Sequence, residues 1–421
     1  MKNFFCIFLR LGTSLSKFLL ILFFSRTVSP SDVGVYGLFL TSIAWATYVI
    51  GYDFYTINTR EILSVSEHKR IILVRDQLVF HLLIYIIVFP MLLGIFFYKI
   101  LPWQLMSIFY CLLIFEHLSQ EGERILFTLS KQIFSNSVTF VRAGSWIYLI
   151  IIFSLLFKYK ISLYTVLYGW LIGDVIGFLL VGMILRVSFN ITNWTQIFSE
   201  KINWKWILSS AKKATVFFLS TMCLQGMMYL GFYTLKYNES YSSVGVFSYY
   251  SSILNVIPAF SFTGIFAFLI PELIVNAKNS NYRLYNATVR KMSIHTLGYI
   301  LISGVFAAIG IYIVLAITNK TIYLQNLNIY WILLIASLFN VLAFIPHYIL
   351  YSKRFDVALL SVNAFGFVIS IFMNFILIKR YHLYGAAITM LIVYLFLFIG
   401  KLSVVLLNKK FFFSGKEIQL N

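Results

Sequence analysis

Arg10, Thr13, Ser14 and Lys17 stand at i, i+3, i+4 and i+7 inside the apolar run Phe4–Phe24. On a helix that spacing gathers them on one face. A guanidinium and an ammonium there are natural partners for an anion, phosphate oxygens above all, because both donate charge-assisted hydrogen bonds. Ser135, Thr139, Arg142 and Trp146 repeat the arrangement in a later apolar run. Ionisable side chains at membrane depth are costly and face protein or a wet cavity. Arg10, Lys17 and Arg142 are therefore candidate walls of a cationic cavity, with Thr13, Ser14 and Thr139 as polar neighbours. Plainer readings stand beside this one. Arg10 can snorkel, Lys17 can pair with a neighbouring helix, and Arg142 can form an internal ion pair with Asp174 or Asp53 while still lining a cavity. Asp53, Glu116, His117 and Asp174 are candidate proton or cation sites. For Glu116 the competing reading is a salt bridge to Arg124 or His117 at the edge of its span.

These residues need a membrane around them, and the composition supplies one. The chain has 421 residues, 61% hydrophobic and 11% charged, where a soluble protein carries about 25% charged residues. The apolar residues collect in blocks long enough to cross a bilayer as helices. Twelve such blocks run from Phe4–Phe24 to Tyr384–Leu402, the fourth being Trp103–Leu118. The expected fold is an all-α integral membrane protein of 12 transmembrane helices in two six-helix bundles. The net charge of +19 reads as topology rather than nucleic-acid binding, because basic residues collect in cytoplasmic loops. With the N-terminus inside, 22 basic residues fall on the cytoplasmic side and 8 outside, so both termini are expected in the cytoplasm. The first apolar run carries Arg10 and Lys17 with no small-residue cleavage site after it, unlike a signal peptide. Cys6, Cys111 and Cys223 lie in separate blocks and offer neither a disulfide framework nor metal spacing.

The two halves repeat. Ser29-Pro30-Ser31-Asp32-Val33-Gly34-Val35-Tyr36 returns 211 positions later as Ser240-Tyr241-Ser242-Ser243-Val244-Gly245-Val246-Phe247, and Glu61 meets Glu272 at the same shift. Six spans per half make the repeat parallel. The expected domains are a lobe over 1–186, a cytoplasmic connector over 187–213 and a second lobe over 214–421. Pro30 ends the preceding helix, and Ser31 and Asp32 should cap a new one starting near Val33. In the connector, Trp194, Trp204 and Trp206 with Lys201 and Lys205 suggest a segment at the membrane interface, or an ordinary aromatic belt. At the 211 shift Arg10 corresponds to Thr221 and Lys17 to Met228. Intramembrane positive charge thus belongs to the first lobe, which suits a substrate with an anionic end and a neutral polar body. Tyr249, Tyr250, Tyr348 and the asparagines Asn255, Asn340, Asn363 and Asn374, with His347, could bind sugar hydroxyls. Interhelical hydrogen bonding is the preferred reading for most of them. No phosphate-binding loop of the Walker type and no large outer loop is present, so no catalytic role is assigned and an enzyme is not expected.

The run Ser29 to Tyr36 resembles the signature of the polysaccharide-exporter branch of the multidrug/oligosaccharidyl-lipid/polysaccharide superfamily. Gly51-Tyr52-Asp53-Phe54-Tyr55 through Thr59-Arg60-Glu61, Glu116-His117-Leu118-Ser119-Gln120-Glu121 with Arg124, and Pro346-His347-Tyr348-Ile349-Leu350-Tyr351-Ser352 look like segments of its O-antigen flippases (Wzx-type). The resemblance implies a MATE-like fold. It implies a flippase that moves an undecaprenyl-diphosphate-linked oligosaccharide, an O-antigen or similar repeat unit for polysaccharide or lipopolysaccharide biosynthesis, across the bacterial inner membrane by alternating access. It implies a proton or sodium gradient in place of a cofactor, and other polysaccharide-assembly proteins as partners. A multidrug or ion antiporter of the same fold is the first rival, disfavoured by an excess of intramembrane bases. A membrane polysaccharide polymerase is a weaker rival, and an idle scaffold the weakest.

Overall fold

The structure, a computed structural model, describes residues 2–189 and 200–409, with helices and turns but no strand among them. The long helices are α1 (Lys2–Thr27), α2 (Pro30–Gly51), α3 (Glu67–Phe97), α4 (Met106–Thr128), α5 (Gln132–Phe157) and α6 (Leu163–Ser188). They continue as α7 (Trp204–Asn238), α8 (Tyr241–Lys278), α9 (Tyr282–Thr318), α10 (Leu327–Ser352), α11 (Asp356–Tyr381) and α12 (Leu383–Leu407). Eleven of them, among the described residues, are long and apolar enough to cross a membrane. The exception is α4, whose 23 residues span a bilayer at 1.5 Å per residue but carry Glu116, Glu121, Glu123 and Arg124. The expected count of twelve differs only by this charged helix. The outward stripe of α9 (Leu301, Val305, Phe306, Ile309 and Ile313, all more than 59% exposed) is a face for lipid rather than water.

By contacts the chain divides into two units: residues 1–20 with 35–222, and residues 21–34 with 223–421. Trp194, Lys410 and Lys416, used in the topological reading, lie outside the described residues. Two other bases assigned to cytoplasmic segments, Arg124 and Lys401, stand inside α4 and α12, and Lys401 is only 4% exposed.

The repeated motif forms matched helix starts. α2 begins at Pro30, three residues before the expected start. The Ser29 hydroxyl accepts from the Asp32 amide at 3.1 Å and donates to Asp32 Oδ2 at 2.7 Å. Pro30 is then the first helical residue, where a missing N–H costs nothing. Ser240 caps α8 in the same way, accepting from the Ser243 amide at 3.3 Å. Gly34 and Gly245 then pack within the second unit, backbone against backbone.

The halves also break at matched places. α2 stops at Gly51, and Tyr52 and Asp53 take positive φ (51° and 48°) before a short helix over Tyr55–Ile62. At the 211 shift this break falls on the π-turn Phe262–Phe266 inside α8. Left-handed backbone is unfavourable for tyrosine. Tyr52 is held there by stacking on Phe218 (4.2 Å between centroids) and by its hydroxyl 3.2 Å from Thr215.

The connector reading changes in its second half. α7 starts at Trp204, ten residues before the expected span, and Trp206 packs on Phe54 and donates its indole N–H to Glu61. Trp206 is therefore an internal anchor of the first unit, while Trp204 is 48% exposed. In the second unit Tyr249 and Tyr250 are fully buried, bonded to Thr318 and the Tyr323 carbonyl. Asn363 and Asn374 are buried too. The two tyrosines bond between helices as expected, whereas Asn374 donates within its own helix to the Ser370 carbonyl at 2.8 Å.

Candidate functional site

The site grows from α4. Glu116, Gln120 and Glu123 recur at i, i+4 and i+7, so they share one face. That face meets α5 and α6, where Arg142 and Asp174 stand. Arg142 sits in a π-turn, Val141–Ser145, a distortion that is frequent at functional sites. α6 approaches α5 closely because it carries glycine every fourth residue, at Gly169, Gly173 and Gly177. A Cβ on Gly173 would stand 2.6 Å from the Arg142 carbonyl oxygen, and one on Gly177 would stand 2.9 Å from the Arg142 Cβ.

Arg142 is 5% exposed and bonded to three carboxylates. Its Nη1 lies 2.5 Å from Glu116 Oε2 and 3.4 Å from Asp174 Oδ1, and its Nε donates to Glu123 Oε1 at 2.8 Å. The acids have further donors. Trp170 Nε1 donates to Glu116 Oε2 at 3.1 Å, Gln120 Nε2 to Glu116 Oε1 at 2.5 Å, and Thr139 Oγ1 to Glu123 Oε2 at 2.8 Å. Arg142 thus takes the ion-pair reading, with Asp174 as foreseen and with Glu116 and Glu123 in addition. It also lines an open cleft of about 300 Å³ with Gln120, Glu123, Arg124, Phe127 and Ser135. Glu116 turns to Arg142 rather than to Arg124 or His117.

Lys17 faces the same cluster. Its charge interacts with Glu116, Arg142, Glu123 and Asp174, yet its ammonium makes no ion pair or hydrogen bond among the described residues, and the side chain keeps an exposed surface. Arg10 is half-buried and donates from Nε to Asn136 Oδ1 at 2.8 Å. Thr13 is buried, its hydroxyl bonded to the Leu9 carbonyl at 2.9 Å. It lies at the contact of α1 with Gly144 of α5. Ser14 is half-buried.

The adjacent face of α4 carries a second network. Glu121 accepts from Gln77 Nε2 at 2.5 Å and pairs with Arg124. Gln77 in turn accepts from Asn58. The Arg124 guanidinium lies 4.0 Å above the Tyr55 ring. Asp53 takes a hydrogen bond from Thr221, while its Oδ2 has no partner. The structure therefore separates the three candidate coupling acids: Glu116 and Asp174 share Arg142, and Asp53 stands with the second group.

The expected excess of bases in the membrane is not found. In the two networks of the first unit the five acids Asp53, Glu116, Glu121, Glu123 and Asp174 outnumber the four bases Arg10, Lys17, Arg124 and Arg142. The sequence reading ended the fourth span at Leu118 and left Glu121, Glu123 and Arg124 to a loop. Their i, i+4 and i+7 spacing with Glu116 and His117 was the available signal, as the glycine spacing was for α6.

Helix order, the paired interruptions and the charged α4 can be set against known structures. The chain superposes on the inward-facing structure of a multidrug resistance MATE family transporter of the MOP superfamily with a TM-score of 0.72, covering 96% of this chain and 99% of that one. The fold is that of the MATE transporters. Sequence identity in that match is 14%. A MOP superfamily transporter from Pyrococcus furiosus, described as having a binding pocket of reverse polarity, matches with a TM-score of 0.62 and 13% identity, over 97% of this chain and 96% of that one. A mutant of a Vibrio cholerae MATE transporter matches with a TM-score of 0.55 and 14% identity, over 97% and 95%. No protein-family model matches the sequence, and comparison with curated proteins finds no match. On this MATE fold the chain is a multi-pass membrane protein whose two charged networks both lie in the first unit.

Proposed function

We propose that this protein is a transporter, and that its cargo is an undecaprenyl-diphosphate-linked oligosaccharide flipped across the bacterial inner membrane by alternating access. The MATE fold supports transport. The motifs running from Ser29 to Tyr36 and from Glu116 to Glu121 support the polysaccharide branch. The observation that carries the anionic cargo is Lys17, a cation at membrane depth with exposed surface and no partner of its own among the described residues. An ammonium that keeps exposed surface at membrane depth is a ready donor for an anion, and a diphosphate headgroup is one. Arg142 shapes the floor of the site through its acids and leaves headgroup capture to Lys17 and Arg10. In this reading both termini are cytoplasmic and the partners are the proteins that build and polymerise the glycan.

Flipping of a labelled polyprenyl-diphosphate oligosaccharide in liposomes tests the reading. Protein-dependent flipping that is lost in Lys17→Met supports it. Flipping no faster than in protein-free vesicles overturns it. The second reading, a cation-coupled exporter of organic cations, is favoured by the three acids around Arg142. It predicts movement of a lipophilic cation dye in the same vesicles.

A further inference from the structure

α9 is longer than a membrane needs. Its 37 residues run roughly 55 Å at 1.5 Å per residue, against a hydrocarbon layer of about 30 Å. Residues 297–317 carry no charge and cross that layer by themselves, which leaves Arg290, Lys291 and His295 at the level of the lipid headgroups. All three are exposed and make no ion pair or hydrogen bond among the described residues. α9 itself holds no carboxylate. Glu272 of α8 meets it through Thr288, which is buried, on the side turned to the core. A cleft of about 470 Å³ opens among Asn286, Ala287, Arg290, Lys291, Ile294 and His295. The cleft leads into the apolar face of the helix. Lys291, Ile294, Gly298, Leu301, Val305 and Ile309 recur every third or fourth residue, so they form one stripe. Tyr285, Met292 and Thr296 are fully buried on the other side. Along the stripe Gly298 makes a notch, since a Cβ there would meet nothing within 4 Å.

We propose that this face of α9 binds an anionic phospholipid of the surrounding bilayer. Arg290, Lys291 and His295 hold its phosphate, and one acyl chain lies along Ile294, Gly298, Leu301 and Val305. A guanidinium matches phosphate oxygens in a fork, and a neighbouring ammonium adds a point charge. Basic clusters at the membrane surface attract anionic headgroups in this way. The length also fits: Ile294 to Val305 is roughly 16 Å of helix, about half the hydrocarbon layer and so one leaflet. The stripe faces away from the buried side of α9, so a lipid reaches it without entering the bundle. That favours a resident phospholipid over the cargo. Its place in the cytoplasmic leaflet rests on the orientation proposed above; the binding of an anionic headgroup does not. The plainer alternative is that these bases only fix topology, in which case they select no lipid.

Native mass spectrometry of the purified full-length protein in detergent, titrated with phosphatidylglycerol and with phosphatidylcholine of the same chains, tests this. Wild type should bind phosphatidylglycerol saturably and in preference to phosphatidylcholine. The double variant Arg290→Gln with Lys291→Gln should bind it roughly 30-fold more weakly. Lys278→Gln with Arg354→Gln removes as much charge from exposed positions elsewhere in the unit and should bind as wild type does. Equal weakening in both pairs would mean diffuse attraction to a basic surface and would overturn the proposal, as would a lack of preference over phosphatidylcholine. A phosphatidylglycerol with a photoreactive acyl chain, which needs no variant to fold, should label wild type on α9 between Ile294 and Val305. Labelling spread evenly over the lipid-facing helices would count against the site. Displacement of phosphatidylglycerol by an equal concentration of polyprenyl diphosphate would make the face a loading place for cargo and would end the phospholipid assignment. None of these measurements needs transport, so a protein that binds the lipid but never flips cargo would remove the transporter reading and leave the site standing.

Discussion

Gly34 and Gly245 leave each other's segments no room for a side chain. A Cβ on Gly34 would stand 1.9 Å from the Tyr241 carbonyl oxygen, and one on Gly245 would stand 1.9 Å from the Pro30 carbonyl oxygen. The two residues occupy equivalent places in the repeat, so the contact is nearly symmetric. Backbone, unlike a side-chain tip, cannot swing aside. Gly34→Ala and Gly245→Ala should each cost more than about 3 kcal/mol, beyond ordinary overpacking. Gly298→Ala, with nothing within 4 Å, should instead gain about 0.5–1 kcal/mol from helix propensity. Thermal unfolding in detergent separates the three.

Arg142 should be a residue of the fold as much as of the site. Arg142→Met leaves Glu116, Glu123 and Asp174 without their cation and should cost about 3–5 kcal/mol. Glu123→Gln keeps two of the three carboxylates and should cost about 1 kcal/mol. The melting temperature of each purified variant checks the ranking.

Lys17 should behave oppositely. Lys17→Met removes a cation that has no bonded partner among the described residues, so the melting temperature should hold or rise while flipping is abolished. A Lys17→Met protein with full transport would move the anion site elsewhere.

The chain just before α7 is tied to α3. Arg75 donates from Nη1 to the Glu200 carbonyl at 2.8 Å, and Asp76 Oδ2 accepts from the Asn203 amide at 3.2 Å. The Arg75–Asp76 pair itself is buried. Arg75→Ala should speed limited proteolysis near Glu200–Asn203 several-fold, read by the appearance of two large fragments on a gel.

Much of the fold was legible because lipid imposes length and apolarity on each span. The repeat was legible because Gly34 and Gly245 are constrained by one contact and Ser29 and Ser240 by one capping geometry. The site was legible only in part. Arg10, Lys17 and Arg142 could be named from their cost in a membrane. Their partners could not, because Glu123 and Asp174 reach Arg142 across 19 and 32 positions, and sequence spacing shows a helix face but not what it meets.

Three acids around one guanidinium also give the chain a spare. A lineage can exchange Glu116, Glu123 or Asp174 one letter at a time and still leave Arg142 answered by two others. The charge beside Lys17 can then drift by whole units between relatives while the helices stay where they are. Descendants of one scaffold gain in this way a route to cargo of a different sign.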